Sequence, residues 1–202
     1  SELEPIRTSE MVREEGHNIF IGSFAALASY ALFHVVTIFP LSWIAFQGSQ
    51  TTAEVLTVQV LGGFVGIMAT IGSGWIAARI GKRTTVALLA CLIGVFALFA
   101  PMLMDGSPLQ QDAFILIGFA LLGVSYGQAA GTVTTNFERR FRYTGAALTS
   151  DFAWLFGAAF APLVALGLSA NFGLAYVSVY LLSGVLCTLL ALRINKSLET
   201  SD

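Results

Sequence analysis

Six apolar runs divide the chain, each bounded by turn-forming or charged residues. They cover about Asn18 to Trp43, Thr52 to Ala78, Thr84 to Met104, Gln110 to Asn136, Tyr143 to Leu168 and Phe172 to Ile194. A helix rises 1.5 Å per residue, so ~20 residues cross the ~30 Å of a bilayer core, and every run reaches that length. The breaks fall at Gln47-Gly48-Ser49, Asp105-Gly106-Ser107-Pro108 and Ala170-Asn171-Phe172-Gly173. Residues 1–17 are polar, although Ile6, Met11 and Val12 would allow a short surface helix. The pattern predicts an all-α membrane bundle of six transmembrane helices over 18–194, between a polar segment at 1–17 and a tail at 195–202.

Composition closes most other readings. The chain is 56% hydrophobic and 11% charged, with a mean hydropathy of +0.79. Soluble domains are about a quarter charged, so this chain cannot cover a water-facing surface. A net charge of −2 gives no footprint for nucleic acid. Cys91 and Cys187 sit alone in apolar runs, which suits small core residues rather than a disulfide or metal site. Ser1 at the first position, and a first run too long for a signal peptide, suggest a piece of a longer protein.

The basic residues set the topology. Arg7 and Arg13 precede the first run; Arg79, Lys82 and Arg83 follow the second; Arg139, Arg140 and Arg142 follow the fourth; Arg193 and Lys196 end the sixth. All ten Lys and Arg residues therefore fall on one side of a six-helix arrangement. The positive-inside rule places that side, with both termini, in the cytoplasm of an inner membrane protein.

The runs are not equivalent. The third and sixth are apolar nearly all round, and such helices can face lipid. The others carry His34, Gln59, Tyr126, Gln128, Asn136 and Asp151, and polar groups at membrane depth need protein partners or a wet cavity. Small residues recur at every fourth position: Gly62, Gly66, Thr70 and Gly74; Gly123, Gly127 and Gly131; Gly145, Thr149, Ala153, Gly157 and Ala161. Such ridges let helices approach closely and are common in membrane bundles. Two sets of three helices with opposite topology, each ending in a lipid-like helix, fit a 3+3 inverted repeat.

After the second run the chain reads Gly74-Trp75-Ile76-Ala77-Ala78-Arg79-Ile80-Gly81-Lys82-Arg83. This resembles the signature loop of the major facilitator superfamily, found in its second half between the eighth and ninth helices. Phe141-Arg142-Tyr143-Thr144-Gly145-Ala146-Ala147-Leu148, with Ala161-Pro162 beyond, resembles the start of the eleventh helix. The Arg-Tyr-Thr-Gly sequence is similar to the metabolite:proton symporters within that superfamily. The resemblance covers the chain from about residue 18, as the carboxy-terminal six-helix half. It implies alternating access against an amino-terminal half, with substrate held near the midplane, and a gating latch at Gly74, Ala78, Arg79, Gly81, Lys82, Arg83, Arg142 and Gly145. The chain departs from the pattern in four places. Ala78 replaces the loop's aspartate, Phe137-Glu138 replaces a Phe-Pro, Thr135 stands near a common glutamate, and Asp151 replaces an uncharged polar residue.

Asp151 is the most informative single residue. It lies about 12 Å along the fifth helix from Tyr143, where a carboxylate costs several kcal/mol unless paired, hydrated or protonated. It reads as a proton-accepting or substrate-contacting group, or as a structural carboxyl bonded to a neighbouring helix. His34 reads as a titrating gate or as a neutral ring bonded quietly to another helix. Gln128, Tyr126 and Asn136 either line the cavity or pack between helices. No run holds an internal Lys or Arg, so a carboxylate substrate would need its cation from elsewhere. There is no Gly-Lys-Ser/Thr phosphate loop, and Ser73 lacks a His partner for nucleophilic catalysis. The expectation is a transporter of a small polar metabolite, an organic acid or zwitterionic osmolyte, coupled to protons, with no enzyme activity, cofactor or metal. The alternatives are a stand-alone six-helix protein that pairs with a second copy, and a non-transporting interaction module.

Overall fold

Turn chemistry sets the helix ends seen in the computed structural model, which describes residues 8–135, 137, 141–159 and 161–194. Among these residues the helices are α1 (Thr8–Ala25), α2 (Leu27–Thr37), α3 (Phe39–Gln47), α4 (Thr52–Ile80), α5 (Lys82–Met104), α6 (Pro108–Thr135), α7 (Arg142–Trp154), α8 (Ala161–Phe172) and α9 (Ala175–Ile194). A π-helical turn, Leu155–Ala159, follows α7. Thr51 and Glu54 form a capping box at the start of α4, satisfying two amide donors that the first turn leaves open. Gly48 ends α3 at φ +68 and Gly173 separates α8 from α9 at φ +94, a region where a Cβ is strained.

The six runs are present as helical segments, two of them subdivided. The first begins at Thr8 rather than Asn18 and becomes α1, α2 and α3, near-continuous over Met11–Gln47. Its polar beginning hides a buried stripe at four-residue spacing: Met11 is 0% exposed, Glu15 8% and Ile19 4%. Met11 packs in one cluster with Phe137 and Phe141, which draws the helix back through the polar segment. The α1–α2 break has a visible cause. The Ala28 amide donates to Thr188 Oγ1 at 3.0 Å, and that hydroxyl donates to the Phe24 carbonyl at 3.2 Å. A side chain from α9 thus stands inside the helix's own ladder, a recognised cause of kinking. Pro40 near the start of α3 lacks an amide proton, and the second break lies just before it.

The fifth run becomes α7, the π turn and α8. A π turn leaves a carbonyl outside the regular ladder, and Tyr180 of α9 donates its hydroxyl to Gly157 O at 2.6 Å.

The main core joins Leu32, Val35 and Phe39 of α2–α3, Ile93 and Ala97 of α5, Phe114 and Ile115 of α6, and Leu181 of α9. The third and sixth runs, α5 and α9, put one face into this core and leave another exposed, with Leu98 and Met102 on α5 and Leu186 and Leu190 on α9. Of the most hydrophobic stretch, 44% is buried in α5 and 39% in α9, but only 17% in α4. Uniform apolarity permits lipid contact without requiring it; what decides is which helices have neighbours. α4 lies mainly against α6 and leaves Leu56, Val60, Phe64, Ile67, Ile71 and Trp75 exposed along one face.

The small-residue ridges of α4 and α6 do meet. A Cβ at Gly123 would collide with the Gly66 carbonyl, and one at Gly127 would come within 2.6 Å of Ser73 Oγ. Thr70 Oγ1 lies 2.9 Å from both Gly66 O and Gly123 O, so its one proton is shared between two carbonyls where the backbones touch.

Candidate functional site

Three helices bring their polar and aromatic stripes to one place. On α2, Tyr30, Phe33 and His34 are three or four residues apart and share a face. On α7, Ser150, Asp151 and Trp154 are related in the same way. α6 contributes Tyr126. The Trp154 ring lies edge-on to Tyr30 and Phe33, each at 5.1 Å between centroids, and to His34 at 5.9 Å. Tyr30 meets Tyr126 at 5.7 Å. Edge-on aromatic pairs at these distances are favourable beyond the area they bury. Gly157 makes the approach possible, because a Cβ there would press on Leu27 and Tyr30 at 3.0 Å.

Charge enters this cluster through Asp151. The Tyr30 hydroxyl interacts with the side chains of Ser150 and Tyr126 and with the Asp151 charge. Asp151 itself is exposed, and no cation among the described residues lies within ion-pair distance of it. The His34 ring is half-buried, with its Nδ1 buried and without a hydrogen-bond partner among the described residues. The quiet interhelical bond considered for His34 is not made through that nitrogen. Beside the cluster runs a groove of about 210 Å³, where Phe33 and Tyr126 face Gly63, Ile67 and Thr70 of α4.

The remaining expected residues lie elsewhere. Gln128 is buried in the α4–α6 seam and donates to Ser73 Oγ at 3.0 Å, at the edge of a cleft formed with Gly74, Ala78, Arg79, Gly81 and Lys82. Arg79 stacks its guanidinium 4.0 Å from the exposed Trp75 ring. Arg83 donates to the Leu192 carbonyl at 2.9 Å, completing the last turn of α9 with a cation where the helix dipole is negative. Ala78 and Lys82 are exposed. Arg142 is exposed at the start of α7, while Gly145 is buried where a Cβ would meet the Phe137 ring at 2.7 Å. Asn136 lies outside the described residues, as do Glu138, Arg139 and Arg140. Among the described residues no group of three His, Cys, Asp or Glu side chains could hold a metal.

The sequence pointed to Asp151, His34 and Tyr126. It did not point to Trp154, Tyr30, Phe33 and Ser150, which surround them. A trace was present: Trp154 follows Asp151 by three positions, and Tyr30, Phe33 and His34 carry helical spacing.

The chain is 33% identical over 183 residues to the inner membrane metabolite transport protein YhjE of Escherichia coli, a match that covers 87% of this chain. The chain is a homologue of bacterial metabolite transport proteins. Two relatives in Haemophilus influenzae, named as candidate metabolite transport proteins, are each 30% identical over 90% and 91% of the chain. The chain spans 41% of the Escherichia coli protein and 44% of each Haemophilus influenzae protein. No family model and no solved structure matches it. These metabolite transport relatives bear out the transporter resemblance read from the signature loop and the Arg-Tyr-Thr-Gly sequence.

Proposed function

We propose that the chain is the carboxy-terminal six-helix half of a major facilitator transporter of the inner membrane. It moves a small polar metabolite by alternating access, coupled to protons. The observation that carries this reading is 33% identity across most of the chain to a metabolite transport protein of which it spans only 41%. The geometry supports it at two points. The carboxylate of Asp151 is exposed and makes no ion pair among the described residues. The apolar face of α4 is left uncovered, as a face that abuts a missing half would be. In this reading the six helices form a 3+3 inverted repeat, the basic loops and both termini are cytoplasmic, and residues 74–83 with Arg142 and Gly145 form the latch.

Coupling is assigned to Asp151. A carboxyl that alternates between the two sides of the membrane can load a proton on one and release it on the other, with Tyr30 as its polar neighbour. Asp151→Asn keeps size and hydrogen bonding but removes the titration. In proteoliposomes holding the whole transporter, the variant should lose proton-driven accumulation of a labelled metabolite while keeping exchange across the membrane at saturating metabolite. Unchanged accumulation with an unchanged pH dependence would move the coupling group to His34 or to the other half.

A further inference from the structure

We propose that the cluster of Tyr30, Phe33, His34, Tyr126, Asp151 and Trp154 recognises the positively charged head of the solute, an ammonium or alkylated ammonium group. The inference rests on the transport reading above and narrows its substrate class from any polar metabolite to one that carries a cation.

The first support is the chemistry of the walls. Aromatic faces attract organic cations through the negative face of the ring, and most strongly where water is excluded. Phe33 is half-buried and Tyr126 exposed, and both line the groove with ring surface, while the half-buried Trp154 and His34 rings lie edge-on to Phe33. A buried cation also needs a counter-charge. Asp151 supplies it from the same helix face as Trp154, three residues away, and no described Lys or Arg occupies it.

The second support is what an anion would need. Carboxylates are best held by charged donors, above all the fork of an arginine. In the sequence all ten Lys and Arg residues fall outside the apolar runs or at their ends. The groove's one threonine, Thr70, already has its hydroxyl on backbone carbonyls. The rest of its wall is Phe33, Ile67, Phe119, Leu122 and glycine, which suits methyl and methylene groups. A bare metal cation would instead demand several oxygens.

The third support is the field at the far end. The face opposite the basic loops holds Glu54, Asp105 and Asp112 and no Lys or Arg. Gln47 and Gln50 donate to the two aspartates at 3.0 and 3.2 Å and so fix them at that mouth. A mouth of one charge sign concentrates counter-ions, so cations are enriched there and dicarboxylates depleted.

Binding and transport are measured separately on the whole transporter in detergent and in proteoliposomes. Equilibrium binding of tetramethylammonium, glycine betaine and succinate is followed by calorimetry. The expected result is binding of the first two, weakened at least about tenfold by Trp154→Leu and by Asp151→Asn, with Trp154→Phe retaining most of it. Trp154→Phe and Asp151→Asn guard against a leucine variant that fails to fold. Succinate binding that neither ammonium probe displaces, unaffected in these variants, would overturn the cation assignment and leave the transporter reading intact. Ammonium binding with no proton-driven uptake of any solute would do the reverse. Equal binding of sodium ions at the same site, lost in Asp151→Asn but not in Trp154→Leu, also overturns it. Absence of binding by all probes together with absence of uptake rejects both.

Discussion

A methyl group added at Gly123 has no room. It would meet the Gly66 carbonyl and come within 2.9 Å of Ala69 Cβ, whereas one added at Gly63 meets nothing within 4 Å. Both glycines sit in helices, and alanine is the better helix former by about 1 kcal/mol. Overpacking a tight seam costs ~1–3 kcal/mol and outweighs that gain. Gly123→Ala should therefore lower stability against unfolding in mixed detergent, while Gly63→Ala should leave it unchanged or slightly raised. Equal effects at the two positions would show that the α4–α6 seam is looser than described. The site was legible at this scale only where a residue was chemically out of place. Asp151 stood out because a carboxylate in an apolar run is costly. Trp154, Tyr30 and Phe33 did not, because aromatic residues are ordinary in membrane helices. Their meeting depends on how α7 and α2 are rotated against each other, which no short-range spacing encodes.

At the scale of the element, helix existence was legible and helix continuity was not. Length, hydropathy and turn residues located the runs, since each is a local property. The α1–α2 break depends on Thr188, which is 160 positions from Ala28, so no window along the first run could reveal it. The beginning at Thr8 was masked by a polar composition that conceals Met11 and Ile19 on one face. The kink is open to test. Thr188→Val keeps the shape but leaves the Ala28 amide and the Phe24 carbonyl without the inserted hydroxyl. Leaving them unpaired costs ~1–3 kcal/mol, a cost the helix escapes only by straightening against its packing, so the variant should be destabilised by up to about that amount and Thr188→Ser should be much closer to the parent. Spin-label distances between the two ends of the first run should lengthen in Thr188→Val as the ladder closes and the helix straightens. Unchanged distances would assign the break to the local packing instead.

For the whole molecule, charge and packing speak about different things. The basic loops foretell sidedness, because the rule concerns loops and needs no tertiary contact. With Cys91 and Cys187 replaced, an impermeant thiol reagent applied to intact cells should label Gly106→Cys and spare Gly81→Cys; labelling of position 81 alone would reverse the orientation. Which helices face lipid is not legible from hydropathy alone, because hydropathy cannot tell a lipid from a protein neighbour. The exposed stripe on α4, including Phe64 at 64% and Ile71 at 69%, has the same apolar character as the exposed Leu98 of α5 at 63%. Truncation separates them. Where lipid is the neighbour, acyl chains refill the space of a lost side chain and little free energy is lost. Where another protein surface is the neighbour, a cavity remains, at ~2–5 kcal/mol per large side chain. If the missing half covers α4, the double variant Phe64→Ala with Ile71→Ala should greatly reduce co-purification of the two halves expressed as separate chains. Leu98→Ala should not. Loss of pairing with Leu98→Ala, or its persistence in the α4 double variant, would place the other half against α5 and leave the α4 stripe to the lipid.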